Sequence, residues 1–258
     1  MGTALVTGAS AGIGRAFAVA LAAKGSDVVL VARDGARLEG LASELRSAHH
    51  VRALPLVADL VTDEGLAVVE ARLRNDDDPV DLLVNNAGMG TYGKFAGLDL
   101  EREDYEIRLN VLALVRLTHA ALRGMTERGQ GAIVNISSLA AYQPEPSSAT
   151  YGATKAFVNS FSHALHEEAR GTGVHVMVVC PGYTHTEFHE RAGLGTSRLP
   201  EFAWQTAEEV VATALRDLDR HRSVSIPGAL NKAVGAFSSV APAGISRRIA
   251  GMVVRWTG

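Results

Sequence analysis

The chain of 258 residues has a single cysteine, Cys180, so an internal disulfide framework is excluded and a reducing compartment is expected. It lacks the uninterrupted run of about 18 apolar residues that a membrane-spanning helix needs. No basic and apolar leader precedes the first strand-like segment, which gives no sign of a secretion signal. The net charge of -3 gives no general attraction to nucleic acid or to acidic membranes. We therefore expect a soluble, cytoplasmic protein that does not bind nucleic acid.

Predicted strands and helices alternate along the chain, and several strands are apolar without polar alternation. This pattern is typical of a parallel sheet with helices on both faces. No repeat, low-complexity tract or linker divides the sequence. We predict an α/β fold, with one doubly wound Rossmann-type domain over residues 1–258 and a mostly parallel seven-stranded sheet. Within it, a substrate lid is expected at about 184–205 and a variable C-terminal segment at about 228–258.

A glycine-rich turn, T-G-A-S-A-G-I-G, joins the first predicted strand to the first predicted helix. Its glycines Gly8, Gly12 and Gly14 would let a diphosphate approach the backbone. The helix that follows offers free N–H groups and the positive end of its dipole. The turn therefore predicts a dinucleotide site, although such a cluster can also be a simple tight turn.

The motif Y-G-A-T-K places Tyr151 and Lys155 four residues apart on one face of a predicted helix. A phenol beside an ammonium group can transfer protons. The positive charge is expected to lower the phenol pKa from about 10 toward the working pH. Ser138 follows a predicted strand, where its hydroxyl can bond the same substrate oxygen. Taken alone, the spacing also fits a half-buried tyrosine and a solvated lysine.

Three other segments carry polar groups that fit such a site. N-N-A-G at 85–88 ends the fourth predicted strand, where ligands bind in open α/β sheets. P-G-Y-T-H-T at 181–186 follows the sixth strand and offers threonines to a carboxamide. Asn110 is a poor helix former inside a predicted long helix. It is expected to bend the helix and free a carbonyl for water, with a buried, satisfied amide as the alternative.

These motifs, in this order and spacing, resemble the short-chain dehydrogenase/reductase family. The resemblance implies an oxidoreductase that interconverts a carbonyl and a secondary alcohol. It implies that Tyr151 is the general acid and base and that Lys155 lowers the tyrosine pKa and binds the nicotinamide ribose. Ser138 would polarise the carbonyl, and Asn110 would complete the tetrad through a water.

The resemblance also implies which residues hold the cofactor, with Asp59 bonding the adenine. The expected cofactor-binding residues are Gly8, Ser10, Ala11, Gly12, Ile13, Gly14, Arg33, Asp59, Leu60, Asn86, Ala87, Gly88, Tyr151, Lys155, Pro181, Gly182, Thr184 and Thr186. No metal site is expected, because the acidic run N-D-D-D-P is interpreted as a solvated turn. His185 and His189 fall in the expected lid and are candidates for substrate contact.

The end of the second predicted strand selects between the two nicotinamide cofactors. An acid there favours the free ribose 2′-hydroxyl, and an arginine accommodates a 2′-phosphate. If the strand stops at Ala32, Arg33 meets the phosphate and Asp34 caps the next helix. One residue of slip would place Asp34 on the ribose. We therefore expect NADP(H) to be preferred, with NAD(H) possible.

Two alternative functions are weighed against this one. A nucleotide-binding regulatory protein would keep the glycine loop but would not need a complete tetrad. A membrane-associated reductase of a lipid-like ketone or acyl substrate would dock through the apolar C-terminal stretch, which carries Lys232, Arg247, Arg248 and Arg255. We expect that stretch to be a wall of the substrate pocket or an intersubunit contact instead.

The expected partners are a small carbonyl or alcohol substrate, hydrophobic in character, and further copies of the chain. The helices predicted at about Arg102 to Arg128 and Ala149 to Arg170 carry more apolar residues than one sheet face needs. In members of the family that the chain resembles, these helices meet across a two-fold axis. A homodimer or homotetramer is therefore expected.

Overall fold

The computed structural model describes residues 2–192 and 200–240. Its strands are β1 Thr3–Thr7, β2 Asp27–Ala32, β3 Ala53–Val57, β4 Val80–Asn85, β5 Gly131–Ile136, β6 Val174–Val179 and β7 Val224–Ser225. They form one sheet in the order β3-β2-β1-β4-β5-β6-β7. Every neighbouring pair is parallel. The predicted α/β fold with a seven-stranded sheet is confirmed, and the sheet is parallel throughout.

Helices cover both faces of the sheet. They are α1 Gly12–Ala23, α2 Gly35–His49, α3 Asp63–Leu73, α4 Leu100–Ile107, α5 Leu114–Arg128, α6 Ala149–Glu168, α7 Phe188–Arg191, α8 Ala207–Asp219 and α9 Ala229–Val240. A π-helical turn at Arg108–Ala113 joins α4 to α5 and contains Asn110. The long helix predicted here is therefore divided by a π-helical turn, and Asn110 lies inside that turn.

Two apolar layers hold the helices against the sheet. On one face, Phe17 of α1 and Leu38 and Leu45 of α2 pack against side chains from the strands. On the other face, Leu66 of α3 and Leu117 of α5 do the same. Full burial of each such side chain contributes about 1.5–3 kcal/mol. Both layers leave the carboxyl ends of the strands uncovered, and the functional site lies at that edge.

The two segments expected to vary are described in part. The expected lid at about 184–205 is described as far as residue 192 and again from residue 200, so 193–199 lies outside the described residues. In the C-terminal segment, α9 is described as far as residue 240, and Arg247, Arg248 and Arg255 lie outside the described residues. Among the helices of the described ranges, none is both long enough and apolar enough to cross a bilayer.

Candidate active site

The carboxyl ends of the strands open into a cleft of about 1070 Å³. This is the edge at which open α/β sheets bind ligands. Nearly all of the site residues predicted from the sequence line this cleft, in seven separate segments of the chain. Gly14, Asn110 and His185 are the exceptions. The topology therefore brings the predicted residues to one place.

The glycine loop between β1 and α1 has the shape that an anionic group requires. Gly8 and Gly12 have φ angles of 65° and 53°, which side chains rarely adopt. A Cβ on Gly14 would lie 2.3 Å from the Gly8 carbonyl oxygen. Among the described residues, no side chain caps the first turn of α1, so its N–H groups point at the cleft without side-chain partners. These features fit a dinucleotide diphosphate.

Hydrogen bonds from β4 fix the glycine loop in position. The Thr7 hydroxyl oxygen accepts from the backbone N–H groups of Asn86 and Ala87, both at 2.9 Å. The Asn86 amide donates back to the Thr7 carbonyl oxygen at 2.8 Å. The Asn86 side chain therefore holds the glycine loop in its conformation. The N-N-A-G motif thus ties neighbouring strands together, as its residue types indicate.

The end of β2 settles the register that the sequence left open. The strand ends at Ala32, and the Asp34 carboxylate caps α2 by accepting from the Arg37 backbone N–H at 3.0 Å. Arg33 is exposed on the cleft, and its guanidinium donates to the Tyr105 hydroxyl at 2.6 Å. Arg33 is therefore the first side chain past the end of β2, and it lies on the cleft.

Arg37 is a cleft residue that the sequence analysis did not identify. Its guanidinium lies 3.1 Å from both carboxylate oxygens of Glu187, which is 150 residues away along the chain. Arg37 also lies 3.5 Å from the Asp34 carboxylate. The rim of the cleft therefore carries a second guanidinium group, that of Arg37, in addition to that of Arg33. The spacing R-x-x-x-R is the signal in the sequence that could have found it.

Tyr151 and Lys155 lie on one face of α6, with the Lys155 Nζ 5.6 Å from the centre of the Tyr151 ring. Lys155 is 5% exposed, and its ammonium donates to the Ile136 carbonyl oxygen at 3.0 Å. Burial lowers the pKa of Lys155 to about 8, and the charges of Glu106 and Cys180 act in the opposite direction.

Burial raises the pKa of Tyr151 above its ordinary value, and a hydrogen bond with Ser138 opposes this shift. The predicted lowering of the tyrosine pKa is therefore wrong for this arrangement, because desolvation of the phenolate outweighs the neighbouring groups. The phenol holds its proton at neutral pH. Ser138 itself is the second residue after β5, and its hydroxyl oxygen accepts from the Ala140 N–H at 3.1 Å.

Asn110 is 2% exposed, and its amide is satisfied by protein groups. It accepts from the Met89 N–H at 3.0 Å and donates to the Met89 carbonyl oxygen at 2.8 Å and to the Thr154 hydroxyl at 3.1 Å. A Cβ on Gly88 would lie 3.0 Å from the Asn110 Oδ1 and 3.5 Å from the Lys155 Nζ. Asn110 thus fixes the backbone directly behind Lys155.

Two buried carboxylates in α4 are further residues that the sequence motifs do not identify. Glu106 is 0% exposed and Glu103 is 3% exposed. They lie behind the cleft, on the helix that leads into the π-helical turn. They lie three residues apart and therefore share one face of α4, but the acidic run that contains them gives no signal of their burial in the sequence.

Aromatic side chains line the opposite wall of the cleft. The Phe188 ring centre lies 5.5 Å from that of Tyr151 and 5.6 Å from that of His189. The His189 ring in turn packs edge-on against Trp204 at 5.0 Å, and its Nδ1 is buried without a hydrogen-bond partner among the described residues. His185 stacks on Trp204 at 4.7 Å. Both candidate histidines are therefore held in one aromatic cluster, and His189 faces the cleft.

Helix α9 closes the cleft on the same side. Leu230, Asn231 and Val234 line it. The Asn231 amide donates to the Gln205 side chain at 2.9 Å and to the Pro227 carbonyl oxygen at 2.8 Å. The described part of the C-terminal segment is thus a wall of the pocket.

Comparisons with known proteins agree with this geometry. Residues 2–195 match the model of the short chain dehydrogenase family. A short-chain dehydrogenase from Sphingobium yanoikuyae, solved in complex with NADPH, is 41% identical with a TM-score of 0.85, over 94% of this chain and 96% of that one. The bulky-bulky ketone specific alcohol dehydrogenase from Comamonas testosteroni is 38% identical with a TM-score of 0.80, over 94% and 95%. A very-long-chain 3-oxoacyl-CoA reductase from Bos taurus is 33% identical over 219 residues, which are 83% of this chain and 68% of the relative.

Proposed function

The chain belongs to the short-chain dehydrogenase family of oxidoreductases, and we propose that it interconverts a carbonyl and a secondary alcohol with NADP(H), using Tyr151 as general acid and base. One observation carries the proposal. Tyr151, Lys155 and Ser138 line the same cleft as the glycine loop and the uncapped start of α1. Proton-transfer groups and a dinucleotide cradle therefore share one cavity.

The residues of the cleft fit a nicotinamide dinucleotide. The loop from Gly8 to Gly14 would hold the diphosphate, and Asp59 and Leu60 would flank the adenine. The segments 86–88 and 181–186 would hold the nicotinamide end, with Thr184 and Thr186 near its carboxamide. When bound, the cofactor supplies or accepts the hydride at the carbonyl carbon.

A preference for NADP(H) over NAD(H) rests on two arginines. The position that would hold a ribose-binding acid is Ala32, and the nearest acid, Asp34, is committed to capping α2. Arg33 and Arg37 both line the rim of the cleft. Guanidinium groups there can form charge-assisted bonds to a 2′-phosphate. The NADPH complex of the Sphingobium yanoikuyae relative supports the same preference.

The raised pKa of Tyr151 suits the reductive direction. The phenol keeps its proton at neutral pH and gives it to the carbonyl oxygen as that oxygen gains negative charge. Ser138 donates a hydrogen bond to the same oxygen, and the Lys155 ammonium stabilises the phenolate that remains. In oxidation the phenolate takes the proton of the alcohol. Asn110 completes the group by holding the backbone behind Lys155, with a water linking the two.

The wall of aromatic and aliphatic side chains favours a hydrophobic ketone as substrate. Phe188 and Tyr183 face the cleft together with Leu230 and Val234 of α9. The names of the Comamonas testosteroni and Bos taurus relatives, which specify bulky ketones and 3-oxoacyl thioesters, point to the same broad class.

A screen tests the proposed function. Ketones of graded size, 3-oxoacyl thioesters and secondary alcohols would be offered with each cofactor, and turnover followed by the absorbance of the reduced nicotinamide. NADPH-dependent reduction of hydrophobic ketones is the expected result. Tight cofactor binding with no turnover of any compound would favour the regulatory alternative. Flotation of the full chain with liposomes would favour the membrane-associated one.

A further inference from the structure

We propose that Glu106 is a positioning residue of this site, whose buried carboxylate is the counter-charge that keeps Lys155 an ammonium ion. The proposal rests on the proposed function for the importance of Lys155. The charge pair itself, between Glu106 of α4 and Lys155 of α6, can be tested without measuring turnover.

The surroundings of Glu106 leave its charge incompletely satisfied by hydrogen bonds. The side chain is 0% exposed, and its Oε2 accepts from the Thr91 hydroxyl at 2.8 Å. Its Oε1 is buried and has no hydrogen-bond partner among the described residues. A buried carboxylate in this situation is costly unless a nearby positive charge compensates it.

The backbone strip 88–91 separates Glu106 from the catalytic groups. On its cleft side, a Cβ on Gly88 would lie 3.5 Å from the Lys155 Nζ, and a Cβ on Gly90 would lie 3.2 Å from the Tyr151 ring. The last residue of the strip, Thr91, is the one that binds Glu106. The strip therefore approaches the buried ammonium at its first residue and binds the carboxylate at its last.

The charges that face each member of the pair support this assignment. Burial lowers the pKa of Lys155 to about 8, and the charges that oppose this are Glu106 from α4 and Cys180 from the end of β6. The pKa of Glu106 is raised to about 7, first by burial and also by the charge of Glu103, while the Thr91 hydroxyl and Lys155 act in the opposite direction. Each member of the pair thus favours the charged form of the other near neutral pH, so they titrate as a coupled pair.

Glu103 provides a matched control on the same helix. It is 3% exposed and its Oε1 is also without a partner among the described residues. Its other oxygen accepts from the Thr150 hydroxyl. Glu106 is among the main charges that act on Lys155, whereas the charge of Glu103 acts on Glu106. The two glutamates therefore share burial and helix but differ in the role proposed here.

The direct test measures the ionisation of Lys155 in the full chain without cofactor. The chain has four lysines, so NMR of isotope-labelled lysine side chains gives few signals, and Lys155→Met identifies the relevant one. In Glu106→Gln the titration midpoint of Lys155 should fall by roughly 1 pH unit, the lower end of the effect of a close opposite charge. In Glu103→Gln it should stay unchanged or rise slightly, because Glu106 then ionises more readily.

A second variant keeps the test decisive if Glu106→Gln does not fold. Thr91→Val removes the hydroxyl that stabilises the carboxylate, so Glu106 is less ionised at a given pH. The Lys155 midpoint should then fall in the same direction by a smaller amount. A folded Glu106→Gln or Thr91→Val whose Lys155 midpoint equals that of the wild type overturns the proposal.

The pH profile of turnover links the pair to function. For ketone reduction, the alkaline limb of kcat/KM should move to lower pH in Glu106→Gln by the same amount as the Lys155 midpoint, with near-normal rates in mild acid. An unshifted limb in a folded variant would contradict the role in the reaction. Absence of turnover in the wild type would instead refute the proposed function, and the NMR titration would still decide whether the charge pair exists.

Discussion

The carboxylate of Asp34 accepts a hydrogen bond from the backbone N–H of Arg37 at 3.0 Å. This bond holds Asp34 at the N-terminus of α2 and leaves Arg33 as the first side chain past the end of β2. The first charged group past the end of β2 that is not engaged in capping a helix is therefore positive. The sequence A-R-D alone leaves open whether Arg33 or Asp34 meets the ribose. The hydrogen bond of Asp34 favours Arg33, and we therefore expect NADP(H) to be preferred.

Replacing Arg33 by alanine should reduce the preference for NADPH. Loss of a charge-assisted bond to the 2′-phosphate removes roughly 1.5–3 kcal/mol, so the ratio of kcat/KM for NADPH to that for NADH should fall roughly 10- to 150-fold. Steady-state kinetics with both cofactors measures this ratio. Asp34→Asn is the control, since asparagine also caps helices and the ratio should not move toward NADH. A wild type that prefers NADH, or an unchanged ratio in Arg33→Ala, would refute the assignment.

Alanine at Gly14 should destabilise the glycine loop. Its Cβ would lie 2.3 Å from the Gly8 carbonyl oxygen and 2.4 Å from the Asn86 amide, so the loop must shift. We expect a loss of about 1–3 kcal/mol in the free energy of unfolding and weaker cofactor binding. Gly40→Ala is the matched control in helix α2, where the new Cβ meets no described atom within 4 Å. It should leave binding unchanged and add about 0.4–1 kcal/mol of stability.

For the Gly14 variant, thermal unfolding and fluorescence titration with NADPH report the two effects separately. Equal stability and cofactor affinity in Gly14→Ala and Gly40→Ala would show that the close contact between Gly14 and Gly8 is not needed for the fold or the site.

The burial of Glu106 predicts a particular dependence of stability on pH. Its pKa is raised in the fold from 4.5 to about 7, so the unfolded chain binds fewer protons between these values and stability falls as pH rises through that window. Glu106→Gln has no carboxyl group at this position, so it does not lose stability over this pH window. Relative to the wild type, the variant should gain about 3 kcal/mol more at pH ~8 than at pH ~4, using the free energy of one pKa unit. Denaturant unfolding at both values measures the difference, and a constant offset would mean that the fold does not raise the pKa of Glu106.

Exposed apolar side chains on α4–α6 predict self-association. Ile107, Leu112 and Phe157 are all exposed on this face, and Phe157 stacks on Phe161 at 5.7 Å. We expect a homodimer or homotetramer with these helices at its two-fold interface, and Phe157→Glu should dissociate it. Phe202→Glu, which changes an exposed aromatic residue elsewhere, should not. Light scattering that shows a monomeric wild type at micromolar concentration would count against this interface.

The motifs were sufficient to predict the fold because they recur at strand ends, and parallel strands bring their carboxyl ends to one edge. The strand-like apolar runs and the Asp34 cap are local features, so their positions in the chain can be predicted from the sequence. The ion pair of Arg37 could not be predicted, because its partner Glu187 lies in a distant segment. The same holds for the close packing of Asn231 against Gly182.

The electrostatics of the site could not be predicted from spacing alone. Tyr151 and Lys155 were correctly expected on one helix face, but the direction of the tyrosine pKa depends on how much water the fold removes from the phenol. Glu103 and Glu106 stand in the acidic run L-E-R-E-D-Y-E-I, which looks like the solvated first turn of a helix. Only the packing of α4 against the 88–91 strip and α6 shows that these two carboxylates are buried.

The central claim is that Tyr151 transfers the proton in an NADP(H)-linked reduction. The measurement that tests it most directly is ketone-dependent oxidation of NADPH by the wild type and by Tyr151→Phe, with the dissociation constant of NADPH measured for both. Phenylalanine keeps the ring that packs on Phe188 and removes only the hydroxyl. The variant should bind NADPH nearly as well as the wild type and turn over at least about 10²–10⁴-fold more slowly. A Tyr151→Phe enzyme with near-normal turnover would contradict the mechanism.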